Sequence, residues 1–232
     1  MSEESVQCSK CRLNSCVKNE PLNGPKFCPV KTRDKTRDMT LNHYLDDPDD
    51  QEIMAAAART EIEGLTNRWT RIEDVINFAK EMRYNKLGIA VCMALITESA
   101  ILTKILENRG FEVVSICCKY GSVYKEDIGL NDGNYKHDFD LIDNPQIKAI
   151  ANNQTGIPLC NPVGQAFLLN NEKTDFNILL GLCVGHDALF IKHSEAPVTP
   201  LIVKDRQTLH NPAAAIYGSN FYFNRLISPE TE

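Results

Sequence analysis

The sequence predicts an α/β fold, a Rossmann-like, mostly parallel sheet with helices, preceded by a small cysteine-rich module. Two strand–helix–strand patterns, over residues 86–118 and 177–205, indicate the sheet. The segment before them carries four cysteines and almost no hydrophobic periodicity, so it cannot fold on apolar burial alone. We therefore divide the chain into a cysteine-rich module with its connector (1–38) and an α/β domain with a helical cover (39–232).

The first pattern begins with the short apolar run LGIAVC (87–92). A stretch with helical periodicity follows and ends on Gly110, before FEVVSICC (111–118), which is rich in β-branched residues. Such a unit implies two parallel strands joined by a right-handed crossover.

The second pattern repeats this order with NILLGLC (177–183), a helix over 187–193 and PVTPLIVKD (197–205). Between the two patterns, Asn161 and Pro162 carry the N-cap and first-turn signals of a further helix. The sheet should therefore gain strands from both halves of the domain.

Two helices are predicted before the sheet, as its cover. The first is alanine-rich, QEIMAAAARTEIEGL (51–65), and the second begins at Thr70, which has capping-box spacing to Glu73. The alternating charges of KTRDKTRD (31–38) are typical of a solvated connector.

Composition excludes several classes of protein. With 232 residues, 43% hydrophobic and 24% charged, the chain can bury a real core. Its formal net charge of -6 argues against nucleic acid as the main partner. No apolar run approaches the roughly 18 residues that span a bilayer, and MSEESVQCSK lacks the apolar core of a signal peptide. We expect a cytoplasmic protein without membrane partners.

Nine cysteines are many for a chain in a reducing compartment, where disulfides are rare. Cys8, Cys11, Cys16 and Cys28 read CxxCxxxxC followed later by CP, in a segment without a core of its own. Four thiolates so placed predict a metal or iron–sulfur site. An iron–sulfur cluster, 4Fe–4S in type, is favoured over zinc because the second CxxC of a zinc ribbon is missing.

A second cysteine set follows the predicted strands. Cys92 ends the first strand, the pair Cys117 and Cys118 ends the second, and Cys183 ends NILLGLC, while Cys160 precedes a helix. Ligands of a parallel sheet bind outside the carboxyl ends of its strands, so these sulfurs should converge on one cofactor. The alternative is that some of these cysteines are simply buried as small apolar side chains. Because side chains alternate along a strand, at most one of the adjacent Cys117 and Cys118 should face the site.

Candidate catalytic residues lie beside these cysteines. GLCVGHD joins a strand end to His186 and Asp187, which could donate or accept a proton. Lys119 and four further basic residues could bind an anionic substrate, although each could equally be a solvated surface charge. These four residues are Lys192, His193, Lys204 and Arg206.

Several of these segments together resemble the prokaryotic family called domain of unknown function 1847, over nearly the whole chain. The segments are the N-terminal cysteine pattern, LGIAVCMALITESA, SICCKYG, CNPVGQAFLLN, GLCVGHDALFIKHSEAPVTPLIVKDR and HNPAAAIY. The resemblance implies metal binding at the first four cysteines and names no substrate.

The leading expectation is an iron–sulfur redox or sulfur-chemistry enzyme, an oxidoreductase or lyase with up to two clusters. It would act on a small-molecule substrate and exchange electrons with a partner. One alternative is a zinc-stabilised binding or adaptor protein without catalysis. Another is a thiol enzyme with Cys183 as nucleophile, activated by a helix N-terminus and His186.

Overall fold

The structure is a computed structural model that describes residues 6–18, 20–130 and 158–228. The chain forms two compact units, Met1–Thr66 and Asn67–Glu232. Within the described residues, no helix combines the length and the apolarity that crossing a membrane requires.

The first unit is helical after a cysteine-rich start that contains short 3-10 turns. Its helices are α1 (Pro29–Thr32), α2 (Asp34–Asp46) and α3 (Pro48–Asn67). The predicted connector, residues 31–38, is mostly helical in the structure. It contains the end of α1 and the start of α2. It is nevertheless largely solvated, as expected for its charges. The predicted boundary between a cysteine-rich metal-binding module (1–38) and the α/β domain (39–232) remains a prediction, since the structure does not test metal binding.

The second unit contains a four-stranded parallel sheet in the order β2-β1-β3-β4, which confirms the predicted α/β fold. The strands are β1 (Lys86–Val91), β2 (Glu112–Cys117), β3 (Phe176–Leu180) and β4 (Val198–Ile202). Val91 pairs with Cys117 of β2 and with Leu180 of β3. The three neighbouring strands therefore end at the same level.

Helices cover both faces of this sheet. They are α4 (Arg71–Glu81), α5 (Ile96–Glu107), α6 (Pro162–Asn171) and α7 (His186–His193), with α8 (Pro212–Tyr217) near the end of the chain. The predicted capping box at the start of α4 is present in full, because Thr70 and Glu73 bond each other's backbone N–H groups. Asn161 caps α6 as predicted, and its side chain accepts from the Gly164 N–H.

The core has two layers, one on each side of the sheet, because side chains alternate along each strand. Leu87, Ile89 and Val91 of β1 face the layer formed with α4 and α5. Ala90 faces the other layer, which is formed with α6 and α7 and contains Cys118. Cys92, Cys117 and Cys160 pack against that second layer, so four of the nine cysteines contribute to it.

Gly88 should be a sensitive point in β1. A Cβ there would overlap Oδ1 of Asn177 and press on Leu169. Asn177 cannot easily move, because it is buried and hydrogen-bonded to Thr174 and Ser194. Gly88→Ala is expected to lower the free energy of unfolding by about 3 kcal/mol, measured by urea denaturation.

The matched control is Ser115→Ala, at an exposed position of the neighbouring strand β2. That change should stay within about 0.5 kcal/mol of the parent protein. Equal stability of the two variants would show that Asn177 does not pack against β1 in this way.

Candidate functional site

Backbone hydrogen bonds continue the sheet pairing beyond the strands and place the first two cysteines of the site. The Cys92 N–H donates to the Leu180 carbonyl at 2.9 Å, and the Cys118 N–H donates to the Val91 carbonyl at 2.8 Å. Cys92 and Cys118 therefore leave β1 and β2 side by side at the carboxyl edge.

Cys160 reaches the same edge from the loop before α6. The Asn161 N–H donates to the Cys118 carbonyl at 2.7 Å, and the Leu159 N–H donates to the Val123 carbonyl at 2.7 Å. This tethering brings the Cys160 sulfur to 3.8 Å from the Cys118 sulfur.

Cys118 is the central sulfur of the three. It is 2% exposed, its sulfur accepts from the Met93 N–H at 3.3 Å, and its thiol also hydrogen-bonds with Cys92. We call Cys92, Cys118 and Cys160 the thiol cluster. The cluster contains three of the cysteines for which the sequence predicted a shared cofactor site, and that site remains a prediction.

The structure also distinguishes the two adjacent cysteines of SICC. Cys118 is buried in the layer under α6, whereas Cys117 ends β2, is half-buried and packs against the same layer.

The thiols of the cluster perturb each other's proton affinity. A hydrogen bond from Cys118 lowers the pKa of Cys92 to about 5, with the nearby Lys204 ammonium as a smaller cause. A hydrogen bond from Cys118 also lowers the pKa of Cys160 to about 6, helped by Lys119 and His186. The pKa of Cys118 itself is raised, since its thiol proton is held by Cys160 and Cys92.

One buried proton therefore lies between two sulfurs that favour the thiolate form. A single S–H group can donate to one thiolate at a time. The negative charge of the other thiolate must then be stabilised by the neighbouring cations. Thiolates in contact with cations are good nucleophiles and good ligands for soft metal ions.

Gln165 of α6 ties together the strand ends beneath the cluster, a role that the sequence analysis missed. Its side chain is fully buried, and Nε2 donates to the Val91 carbonyl at 3.2 Å and to the Ile116 carbonyl at 2.6 Å. These carbonyls lie directly before Cys92 and Cys117. Its Oε1 atom is buried and has no hydrogen-bond partner within the described residues.

Cys183 lies beyond the end of β3 rather than in it, because β3 ends at Leu180 and the chain turns at Gly181, whose φ is 72°. The Cys183 sulfur accepts from Nη2 of Arg206 at 3.3 Å. Its carbonyl accepts the backbone N–H groups of the first turn of α7. Cys183 thus contacts a cation, and its membership of the cofactor site remains a prediction.

The predicted catalytic residues have different surroundings. His186 is half-buried and close enough to Cys160 to favour its thiolate, and Lys119 both hydrogen-bonds to Cys160 and donates to the Pro158 carbonyl. Asp187 uses Oδ1 to accept the Ala188 N–H at 2.7 Å. His186 and Lys119 are therefore adjacent to the thiol cluster, whereas Asp187 bonds the backbone of its own helix.

The four N-terminal cysteines belong to the first unit. Cys8 and Cys11 are joined by a 3-10 turn, and Cys28 is buried at the start of α1, whereas Cys16 is exposed. Within the described residues, no three of these sulfurs lie within 4.8 Å of one another, the close grouping that a single metal ion imposes.

Among the described residues, the one group of three potential ligand atoms that all lie within 4.8 Å of one another is His43, Asp47 and Asp50, so the three sulfurs of the thiol cluster are spaced more widely than this. Nε2 of His43 forms an ion pair with Asp50 at 2.7 Å, and both side chains are about half exposed to solvent. An exposed ion pair explains this cluster without a metal.

Comparison with known proteins supports the resemblance noted in the sequence. A family model described as "Protein of unknown function (DUF1847)" matches residues 28–159 and 146–201. Uncharacterized protein MJ0455 of Methanocaldococcus jannaschii is 36% identical over 223 residues, which is 96% of this chain and 98% of that protein. The family match includes the thiol cluster and Cys183 and begins at Cys28.

The lowered pKa values predict an unusual alkylation profile for the metal-free protein. Since only the thiolate reacts, and the Cys118 hydrogen bond lowers the pKa of Cys92 and of Cys160, their rates with iodoacetamide should reach half their maximum below the ordinary thiol value of about 8.5. Peptide mass spectrometry across pH measures both rates. Cys118 should react slowly, because it is buried and its pKa is raised.

The same protein unfolded in denaturant is the control, and its cysteines should react with midpoints near the ordinary value of about 8.5. Folded-state midpoints at that ordinary value for both Cys92 and Cys160 would contradict the hydrogen-bonded cluster.

Replacing Gln165 by methionine should loosen the strand ends under the cluster. The variant loses two buried hydrogen bonds at similar side-chain volume, so we expect a loss of about 2 kcal/mol in the free energy of unfolding. The control is Asn171→Met at the exposed end of α6, expected to change stability by about 0.5 kcal/mol or less. A Gln165→Met protein as stable as this control would refute the structural role of Gln165.

Proposed function

Because the chain belongs to the DUF1847 family, whose description specifies no reaction, we propose its function from the site: an iron–sulfur protein that uses Cys92, Cys118 and Cys160 in redox or sulfur-related chemistry on a small molecule. The observation that carries this proposal is the convergence of three thiols at the carboxyl edge of a parallel sheet.

The donor set suits the proposed cofactor. Soft thiolates select iron–sulfur clusters, zinc and Cu(I), and two of the three thiols already favour the deprotonated form that binds metal. Cys118 lies between the sulfurs of Cys92 and Cys160, which both favour the thiolate form. A metal cation in place of the Cys118 proton would therefore reduce the repulsion among the three sulfurs. Cofactor binding should therefore release the Cys118 proton.

Three protein ligands would leave a coordination position for substrate, which is typical of a catalytic rather than a structural metal. The bound cofactor would supply electrons or act as a Lewis acid toward that substrate. In this proposal His186 would move a proton at its imidazole, and Lys119 would balance negative charge beside Cys160, since both favour the Cys160 thiolate.

Cys8, Cys11, Cys16 and Cys28 are proposed as ligands of a second cluster, which would exchange electrons with a partner protein. All nine cysteines lie in the described residues, and all are free thiols. Free thiols in this number suit a reducing compartment, so we place the protein in the cytoplasm.

A zinc-stabilised binding or adaptor protein is the second candidate, and the sulfur spacing favours it. Two thiolates bound at about 2.3 Å to one tetrahedral ion lie about 3.8 Å apart, which is the distance between Cys118 and Cys160. One zinc per chain and no iron–sulfur absorption would favour this candidate.

Neighbouring cysteines of SICC provide a matched test. We expect protein purified without oxygen to contain iron and sulfide, and Cys118→Ser to lose the part bound at the thiol cluster. Cys117→Ser, a change at the half-buried neighbour, should keep the full content. Iron, zinc and acid-labile sulfide per chain are measured, with circular dichroism to check folding.

Any metal at the N-terminal cysteines contributes equally to both variants, so the difference between them reports on the thiol cluster alone. Equal metal in both variants would remove the thiol cluster as a binding site. A protein free of iron after reconstitution with iron and sulfide would remove the iron–sulfur proposal.

A further inference from the structure

Three cationic side chains surround the thiols at the carboxyl edge of the sheet. Lys204, two residues beyond β4, contacts the Cys92 sulfur, and Lys119 contacts the Cys160 sulfur. Nη2 of Arg206 lies 3.3 Å from the Cys183 sulfur. A protein with a net charge of -6 thus concentrates positive charge at this edge.

The nearby carboxylates are engaged elsewhere. Asp205 lies between Lys204 and Arg206 in sequence, but its Oδ1 accepts the N–H groups of Gln207 and Thr208 at 2.8 and 2.9 Å. Within the described residues, neither Lys204 nor Arg206 forms an ion pair with a carboxylate. These two charges are therefore available to an anion from solution.

The topology places Lys204 where parallel sheets bind ligands. The chain leaving β1 enters α5 on one face, whereas the chain leaving β3 enters α7 on the other. The strand order consequently reverses between β1 and β3, and ligands bind in the crevice at such a reversal.

Gly181 lies at the β3 side of this crevice, where it lets the backbone pack closely on Leu95 beside Lys204. A Cβ at Gly181 would lie 3.6 Å from Nζ of Lys204 and would overlap Leu95, and the φ of 72° also disfavours other residues. The ammonium is therefore held between the end of β3 and Cys92 of β1.

We propose that Lys204 and Arg206 bind the oxyanion group, a carboxylate or phosphate, of a small substrate beside the thiol cluster. Arg206 offers a planar pair of N–H donors that can hold two oxygens, and Lys204 offers a compact charge. This inference rests on the proposed function for the chemistry that follows binding, but the oxyanion subsite itself uses residues that are not proposed metal ligands.

The test measures binding of malonate and of inorganic phosphate by isothermal titration calorimetry, using the full chain purified without oxygen. Each probe is compared for the parent protein, Lys204→Gln, Arg206→Gln and the control Lys192→Gln, an exposed lysine at the end of α7. Each charge removed from the subsite should weaken the bound probe about tenfold or more. The control should bind like the parent.

Stronger binding of malonate assigns a carboxylate, and stronger binding of phosphate assigns a phosphate. The proposal is overturned if neither probe binds, or if Lys204→Gln and Arg206→Gln bind as tightly as the control. Metal content, measured on the same samples, separates the two proposals. Probe binding by a protein that contains no metal would support the oxyanion subsite and contradict the iron–sulfur centre. A protein that contains metal but binds neither probe would support the metal centre and contradict the oxyanion subsite.

Discussion

Parallel pairing of β1 with both β2 and β3 is the constraint on which the rest of the site depends. Because Val91 pairs with Cys117 on one side and with Leu180 on the other, three strands end together. The residues just beyond those ends must then share one edge. The site is therefore a consequence of register, and a shift of one residue in β2 would turn Cys118 away from its partners.

That edge concentrates groups whose charges depend on one another. The Cys118 proton satisfies sulfurs on both sides, and Lys119 and Lys204 approach the outer two. Such an arrangement is costly to bury unless its charges are compensated. The proposed metal cofactor would compensate these charges more completely than one shared proton does.

Much of the fold could be predicted from the sequence, because the signals were local and agreed with one another. The run LGIAVC, the glycine after the helix and the β-branched FEVVSICC each favoured the same strand–helix–strand unit, and Thr70 and Glu73 located the start of α4. Strand alternation did not decide between Cys117 and Cys118, since both contact the layer under α6 and differ in burial.

Other features depend on contacts between distant residues, which no local pattern encodes. Gln165 looks like an ordinary helical residue until its amide reaches carbonyls 74 and 49 positions earlier in the chain. Cys183 was expected to end a strand, but Gly181 turns the backbone before it. Lys204 and Arg206 could not be distinguished from solvated charges before β4 brought them to the thiols.

The most direct test of the central claim is an anomalous difference map from crystals of the protein grown without oxygen, with data collected at the iron and zinc edges. The account predicts a metal peak about 2.3 Å from the Cys118 sulfur, in contact with Cys92 and Cys160. Well-ordered Cys92, Cys118 and Cys160 side chains with no metal peak between them would contradict it.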